Sequence, residues 1–219
     1  MLERILEPEY MDTPEEAHDY DSMDHSFVNC LFVSDFLRVW NGRGTILDLG
    51  TGTAQIPIEF CRQSTTGEIL AIDAAQHMLD LGQINVDRAG YTHRIRLQKV
   101  DAKGLPFADQ SIDHVMSNSI IHHIPKPELV FAEIARVLKP NGALLVRDLL
   151  RPESKSRIEE LLDLYAKGAT SEQRTLFGNS LHAALTLDEV RQMVESTGYD
   201  PLEVQQTSDR HWTWSIPAK

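Results

Sequence analysis

Residues 45–55 read Thr-Ile-Leu-Asp-Leu-Gly-Thr-Gly-Thr-Ala-Gln, and this stretch decides the fold. Ile46, Leu47 and Leu49 make a short apolar run of the kind that forms a buried strand. Gly50-Thr51-Gly52 stops it, and helical spacing follows from Ala54 to Gln63. The pattern is a strand, a glycine turn and a helix start. Glycine suits a tight turn that lets a ligand approach the backbone with no Cβ in the way. Pro57 falls in the first helical turn, where backbone N–H groups have no internal acceptor, so its missing donor is tolerated. A nucleotide-like ligand is the natural occupant of such a turn.

A dinucleotide seats its pyrophosphate on this kind of helix start through a Gly-x-Gly-x-x-Gly turn. Here the corresponding positions are Gly50, Gly52 and Gln55, so the third glycine is absent. Asp48, two residues before the first glycine, adds a carboxylate that repels a phosphate and attracts an ammonium group. An amino-acid-bearing nucleoside therefore fits better than a nicotinamide dinucleotide. The ligand predicted is S-adenosylmethionine, with S-adenosylhomocysteine as its product.

The run Asp-Leu-Gly-Thr-Gly-Thr-Ala at 48–54 resembles motif I of the class I S-adenosylmethionine-dependent methyltransferases, and later motifs follow in order over about residues 20–151. The likeness is greatest to the small-molecule group that includes the ubiquinone/menaquinone C-methyltransferases. Ala54 stands where the family usually carries a further glycine. The resemblance implies a Rossmann-like, doubly wound α/β fold: a seven-stranded, mostly parallel sheet with a reversed last strand and helices on both faces. It also implies a cofactor site made by Asp48, Gly50, Thr51, Gly52 and Gln55 at the turn. Asp73 and Ala74 follow at the second strand end, then Met78, Asp101, Ala102, Asn118 and Ser119.

Spacing supports several of these assignments. Ile69 to Ile72 reads as a second apolar strand ending in Asp73, 23 residues beyond Gly50, where a carboxylate accepts from both ribose hydroxyls. Met78, on a helix predicted over 75–88, either packs on adenine, as in the family, or is plain core. Residues 94–100 alternate as a third strand ending at Asp101-Ala102, where the family accepts from the adenine amino group. Residues 109–116 resemble the family's acidic turn and fourth strand, which ends near Asn118 and Ser119. Ligands of open α/β sheets bind at the carboxyl ends of strands, so these residues should flank the sulfonium and the acceptor.

Three residues are candidates for the chemistry. His122 and His123 are the most suggestive pair, because a histidine near its free pKa can take a proton from an attacking nucleophile. The structural reading, a helix cap or a backbone ligand, is the one favoured for either alone, and adjacent residues should point apart. Tyr20, in the acidic segment 20–25, resembles the tyrosine of a lid preceding motif I, or packs down as core. His182 and His211 could approach the pocket with His123, but no spacing demands a metal and none is expected.

The 219 residues are enough for one domain with a real core, and 42% apolar and 25% charged residues are ordinary for a globular protein. A formal charge of −12 argues against a phosphate-backbone footprint, since Lys and Arg drive that binding. The Asn-Ser-Ile-Ile run at 118–121 also lacks the Asn/Asp-Pro-Pro-aromatic motif of nucleobase amino methyltransferases. Cys30 and Cys61 have no metal-ligand spacing, and no apolar run is long enough to span a bilayer. The expectation is a cytoplasmic monomer or homodimer acting on a small-molecule methyl acceptor, with no nucleic-acid or membrane partner.

Three segments are predicted: an N-terminal arm and lid helix over 1–40, a cofactor-binding core over 41–151, and a C-terminal part of the same domain over 152–219. Phe27, Leu31, Val33, Phe36, Leu37 and Trp40 predict a helix packed on the sheet edge. Arg147 and Asp148, at the end of a fifth strand, suggest an ion pair. Helices are predicted over 154–169, 170–185 and 186–197, then strands over 202–206 and 211–216 with Trp212 and Trp214 buried. Other readings are a protein or RNA methyltransferase, a cofactor-binding protein without turnover, and, on fold alone, a nicotinamide dehydrogenase.

Overall fold

The computed structural model describes residues 2–7 and 12–219. Of the predicted N-terminal arm, residues 1 and 8–11 lie outside the described residues. The strands are β1 (Thr45–Leu49), β2 (Glu68–Asp73), β3 (Ile95–Lys99), β4 (His114–Asn118), β5 (Leu144–Leu149), β6 (Val204–Gln206) and β7 (His211–Ile216). They form one seven-stranded sheet in the order β3-β2-β1-β4-β5-β7-β6. β1 pairs in parallel with β2 and β4, β2 with β3, and β6 with β7 antiparallel. Because β1 lies between β2 and β4, the chain winds one way through β3 and the other way from β4 onward. Such a switch point is where an open sheet receives its ligand.

The helices are α1 (Pro14–Ser22), α2 (Ser26–Val39), α3 (Gln55–Gln63), α4 (Gln76–Ala89), α5 (Pro127–Val137), α6 (Lys155–Tyr165), α7 (Ser171–Ala183) and α8 (Leu187–Ser196). The described residues fall into two compact units. The larger comprises 12–118, Leu129–Val146 and Ser215–Lys219. Its core joins Phe32, Val33 and Phe36 of α2 to Ile46, Ile69, Ala71 and Met116 of the strands and to Ile58 and Phe60 of α3. The second comprises 2–7, Ser119–Glu128 and Arg147–Trp214, with Leu149, Ile158, Leu161, Leu162 and Leu181 as its core.

Several expectations need correction. The segment with Tyr20 is the end of α1, whose capping box is complete: Thr13 Oγ1 accepts from Glu16 N at 3.2 Å, and the Glu16 carboxylate accepts from Thr13 N at 3.1 Å. In α2 the buried face is Asn29, Phe32, Val33 and Phe36, whereas Phe27 and Leu31 are 74% and 48% exposed. Spacing alone left the phase of that helix open, because apolar residues stand on both sides. β5 runs through Arg147 and Asp148 to Leu149, so the pair lies within the strand and not at its end. Arg147 and Asp148 do not pair there, since neighbours on a strand point to opposite faces. Arg147 Nε donates to Thr213 Oγ1 at 3.1 Å, and Asp148 turns to His122. Trp212 and Trp214 are fully buried as expected, but Thr213 between them is buried too, because β7 is an inner strand.

Candidate functional site

In the larger unit, the backbone amides of Gly50 and Thr51 both donate to Ile72 O at 2.9 Å, which folds the turn over the end of β2. Gly50 and Gly52 have φ of 69° and 53°, a region open to glycine without strain. Ala54 has φ 63° and is the N-cap of α3, so alanine occupies a left-handed position that costs it about 1–2 kcal/mol. Gly82 of α4 accommodates it: a Cβ there would lie 3.5 Å from the Ala54 Cβ and 3.3 Å from Thr53 C. The room usually given by a glycine in the turn is supplied here from the facing helix.

Asp48 is 1% exposed, and its Oδ2 has no hydrogen-bond partner among the described residues. Burial pushes its carboxyl up to about 7; the neighbouring Thr51 side chain opposes this and the nearby Asp73 charge adds to it. An orphaned buried carboxylate oxygen beneath a glycine turn is a seat for a cation. Asp73, at the end of β2, accepts from Gly52 N at 2.8 Å and from Ala75 N at 2.9 Å, so its carboxylate is fixed at the mouth of the turn. Burial raises its pKa, against these amide bonds. Tyr20 lies over the turn, its Cε1 3.5 Å from where a Gly52 Cβ would be. Burial, with the charges of Asp73, Asp48 and Asp21, drives its phenol up to about 12. Tyr20 is therefore a hydrogen-bond donor and not a base.

Thr51 is buried and Ala74 half-buried. Met78 is core with Ala17 and Ala75, and Tyr20 packs against the same cluster. Asp101 is exposed, accepts from Lys103 N at 2.9 Å and pairs with Lys103 Nζ at 3.0 Å, with Ala102 half-buried beside it. Gln55 Oε1 accepts from Asn29 at 3.3 Å while its Nε2 donates to Asp21 Oδ1 at 3.1 Å, so its amide ties α1 and α2 to α3. Asn85 was not foreseen; its Nδ2 donates to Asp21 Oδ1 at 2.8 Å and to Thr53 O at 3.1 Å, a second anchor for α1. Asn118 closes β4 beside β1, where Ser117 Oγ donates to Leu49 O at 3.0 Å. Ser119 follows with a left-handed φ of 60°.

In the second unit, His122 and His123 end a 3₁₀ turn (Ile121–His123) and do not point apart: their rings stand 4.1 Å apart, tilted by 37°. The His122 Nδ1 lies 2.6 Å from Asp148 Oδ1, and Asp148 also accepts from Ile121 N at 2.5 Å and Leu149 N at 2.6 Å. Those bonds and the imidazole hold Asp148 below the usual carboxylate range against its burial. Burial, with the His122 charge, drives His123 down to about 3, so it is a neutral imidazole. Glu7, from the aperiodic N-terminal arm, meets both rings, at 3.2 Å from His123 Nδ1 and 3.7 Å from His122 Nε2. No sequence signal marked Glu7. His182 and His211 are not in this group; His211 Nδ1 lies 2.8 Å from Ser208 Oγ.

No helix among the described residues is long and apolar enough to cross a membrane. A family model described as a methyltransferase domain matches residues 47–146. A demethylmenaquinone methyltransferase of Porphyromonas gingivalis is 30% identical over 149 residues, 63% of this chain and 59% of that protein. A ubiquinone/menaquinone biosynthesis C-methyltransferase of Geobacter sulfurreducens is 29% identical over 53% of this chain and 46% of its own length. The chain thus spans about half the length of the curated relatives it matches. Among solved structures, a SAM-dependent methyltransferase from Aquifex aeolicus superposes with a TM-score of 0.65 at 19% identity, covering 93% of this chain and 97% of that one. A Haemonchus contortus phosphoethanolamine N-methyltransferase, in complex with S-adenosyl-L-methionine, gives 0.64 at 20% identity over 85% and 41%. The doubly wound sheet, the glycine turn over a buried aspartate and the match across residues 47–146 agree: this stretch is similar to a methyltransferase domain, and the fold is that of S-adenosylmethionine-dependent methyltransferases.

Proposed function

We propose that this protein transfers the methyl group of S-adenosylmethionine to a small-molecule acceptor. The observation that carries the reading is Asp48, buried under the Gly50–Gly52 turn with one oxygen unpartnered, two residues ahead of the first glycine. Asp48 neutralises the ligand's amino-acid ammonium, Asp73 receives the ribose hydroxyls, and Met78 and Asp101 border the adenine. Tyr20 covers the turn and keeps water from it. The cofactor supplies an electrophilic methyl on a sulfonium that leaves as a neutral thioether. The acceptor's electron pair forms the new bond to the methyl carbon as the carbon–sulfur bond breaks, and the acceptor's proton is lost to solvent. Alignment supplies most of the acceleration, since a well-oriented pair reacts with a large effective concentration.

The small acceptor is supported by the names of the relatives, by the acidic surface and by the lack of a nucleobase-type motif at 118–121. Calorimetric titration with S-adenosylmethionine, S-adenosylhomocysteine and NAD is the direct test. Binding of the first two without the third is expected, followed by turnover in a screen of phenolic, quinol and amine acceptors. Binding of NAD alone would overturn the reading.

Asp48 gives a pH dependence whose sign follows from its position. With a carboxyl near 7 against an ordinary 3.8, the folded free chain holds a proton that the unfolded chain releases, so stability falls as pH rises between these values. A cationic ligand reverses this by favouring the carboxylate, and binding releases the proton. S-adenosylmethionine should bind about tenfold more weakly at about pH 6 than at about pH 7.5, with proton release seen by repeating the calorimetry in buffers of different ionisation enthalpy. A dissociation constant flat across that range would remove Asp48 as the counter-ion.

A further inference from the structure

Three ligand-bearing side chains outside the glycine-turn site converge in the second unit. Glu7 Oε1, His122 Nε2 and His123 Nδ1 lie within 4.8 Å of one another, with separations of 3.2 and 3.7 Å from the carboxylate to the two rings. Ligands on a tetrahedral zinc at its usual bond lengths stand roughly 3.3 Å apart. The 3₁₀ turn makes this convergence possible, because it swings two neighbouring imidazoles to one side where a strand would separate them.

The partners behind the ligands also match. Asp148 is 1% exposed and accepts from His122 Nδ1, which fixes the ring's orientation and aims Nε2 at Glu7. Nε2 stands 3.7 Å from the Glu7 oxygen, a separation at which a positive charge, a proton on the imidazole or a metal ion between the two, holds the pair together. Ser180 Oγ donates to Glu7 Oε1 at 3.0 Å and orients it. Arg4 closes the arm over the group, donating to the carbonyls of Ala183, His122 and Ile124 at 2.7, 3.2 and 3.0 Å.

We propose that Glu7, His122 and His123 bind a divalent transition-metal ion of the zinc and cobalt class, with Asp148 as the residue positioning His122. Two imidazole nitrogens and one carboxylate oxygen suit these borderline ions over magnesium or calcium, which prefer all-oxygen shells. Three protein ligands leave a coordination position for water or an oxygen of an incoming molecule, at which the ion acts as a Lewis acid. This departs from the expectation of no metal, and it is independent of the cofactor reading.

The test uses the full chain, stripped with a chelator and titrated with Co²⁺ and then Zn²⁺. One equivalent of Co²⁺ should bind with visible d–d absorption and be displaced by Zn²⁺. Glu7→Gln, which keeps the Ser180 bond, and His123→Ala should each weaken Co²⁺ binding about tenfold or more, and Asp148→Asn about 10–100-fold. His77→Ala, at a histidine outside the group, should bind as the parent does. Glu7→Gln and His123→Ala change less buried residues than Asp148→Asn, so they decide the matter if the last fails to fold. Absence of stoichiometric binding by the parent chain, meaning that a proton alone occupies the group, would overturn the proposal. So would equal affinity in Glu7→Gln, His123→Ala and the parent.

Discussion

Asp73→Asn is expected to weaken S-adenosylmethionine binding roughly a hundredfold while leaving the fold intact. Hydrogen bonds to a charged acceptor contribute about 1.5–3 kcal/mol each, and a hundredfold is about 2.7 kcal/mol. In the free protein the two carboxylate oxygens already take the Gly52 and Ala75 amides, so the ribose hydroxyls meet an acceptor whose position is set before they arrive. Asparagine keeps one oxygen but turns an NH₂ group toward one of those two amides, donor against donor. The ligand series separates this from a general loosening of the turn. Adenosine should lose affinity in Asp73→Asn as S-adenosylmethionine does, whereas Asp48→Asn should weaken S-adenosylmethionine and spare adenosine, which has no ammonium. Unchanged adenosine binding in Asp73→Asn would take that residue off the ribose.

Much of this centre was legible because each feature is local. An apolar run stopped by Gly50-Thr51-Gly52 has few ways to fold, and Asp73 is placed by the length of one strand-helix-strand repeat. The mostly parallel sheet with a reversed last strand was implied by the resemblance, and the alternation of strands and helices fits it. What sequence could not give is the phase and pairing of residues far apart in the chain. The α2 helix has apolar residues on two sides, and only packing against Ile46, Ile58 and Phe60 selects Phe32, Val33 and Phe36. Asp148 was noticed but given to Arg147; a strand places neighbours on opposite faces, and its partner His122 is 26 residues away. Gln55 was read as a ligand contact because it stands in the turn, yet its amide is taken up by Asn29 and Asp21. Glu7 sits in an arm without periodicity, and nothing before the three-dimensional arrangement links it to two histidines 115 and 116 residues on.

The turn at Lys139-Pro140-Asn141-Gly142 joins α5 to β5, and its last residue has a role that a side chain would make costly. Gly142 is not forced by its φ; it is forced by space. A Cβ there would fall inside contact distance of the Asp113 backbone oxygen, 2.6 Å from Leu138 Cδ1 and 3.1 Å from Lys139 O. The leucine tip can move, but the backbone oxygen cannot move alone. Asp113 is a junction: its carboxylate accepts from Thr45 N at 2.9 Å at the start of β1 and pairs with Lys139 Nζ at 2.5 Å, and β4 begins at the next residue. Gly142→Ala is therefore expected to destabilise the protein by about 3 kcal/mol, toward the upper end for overpacking, and to lower the melting temperature by roughly 6–12 °C. Gly104→Ala is the control, since open space surrounds that position and its φ is not positive; it should melt within about 2 °C of the parent or slightly above it. Binding at low temperature should separate this change from Asp73→Asn: chains that remain folded should keep most of their affinity for S-adenosylmethionine, because Gly142 touches the β1–β4 frame at its far end from the glycine turn. A Gly142→Ala protein that melts with the parent would mean that the close approach to Asp113 does not hold in solution.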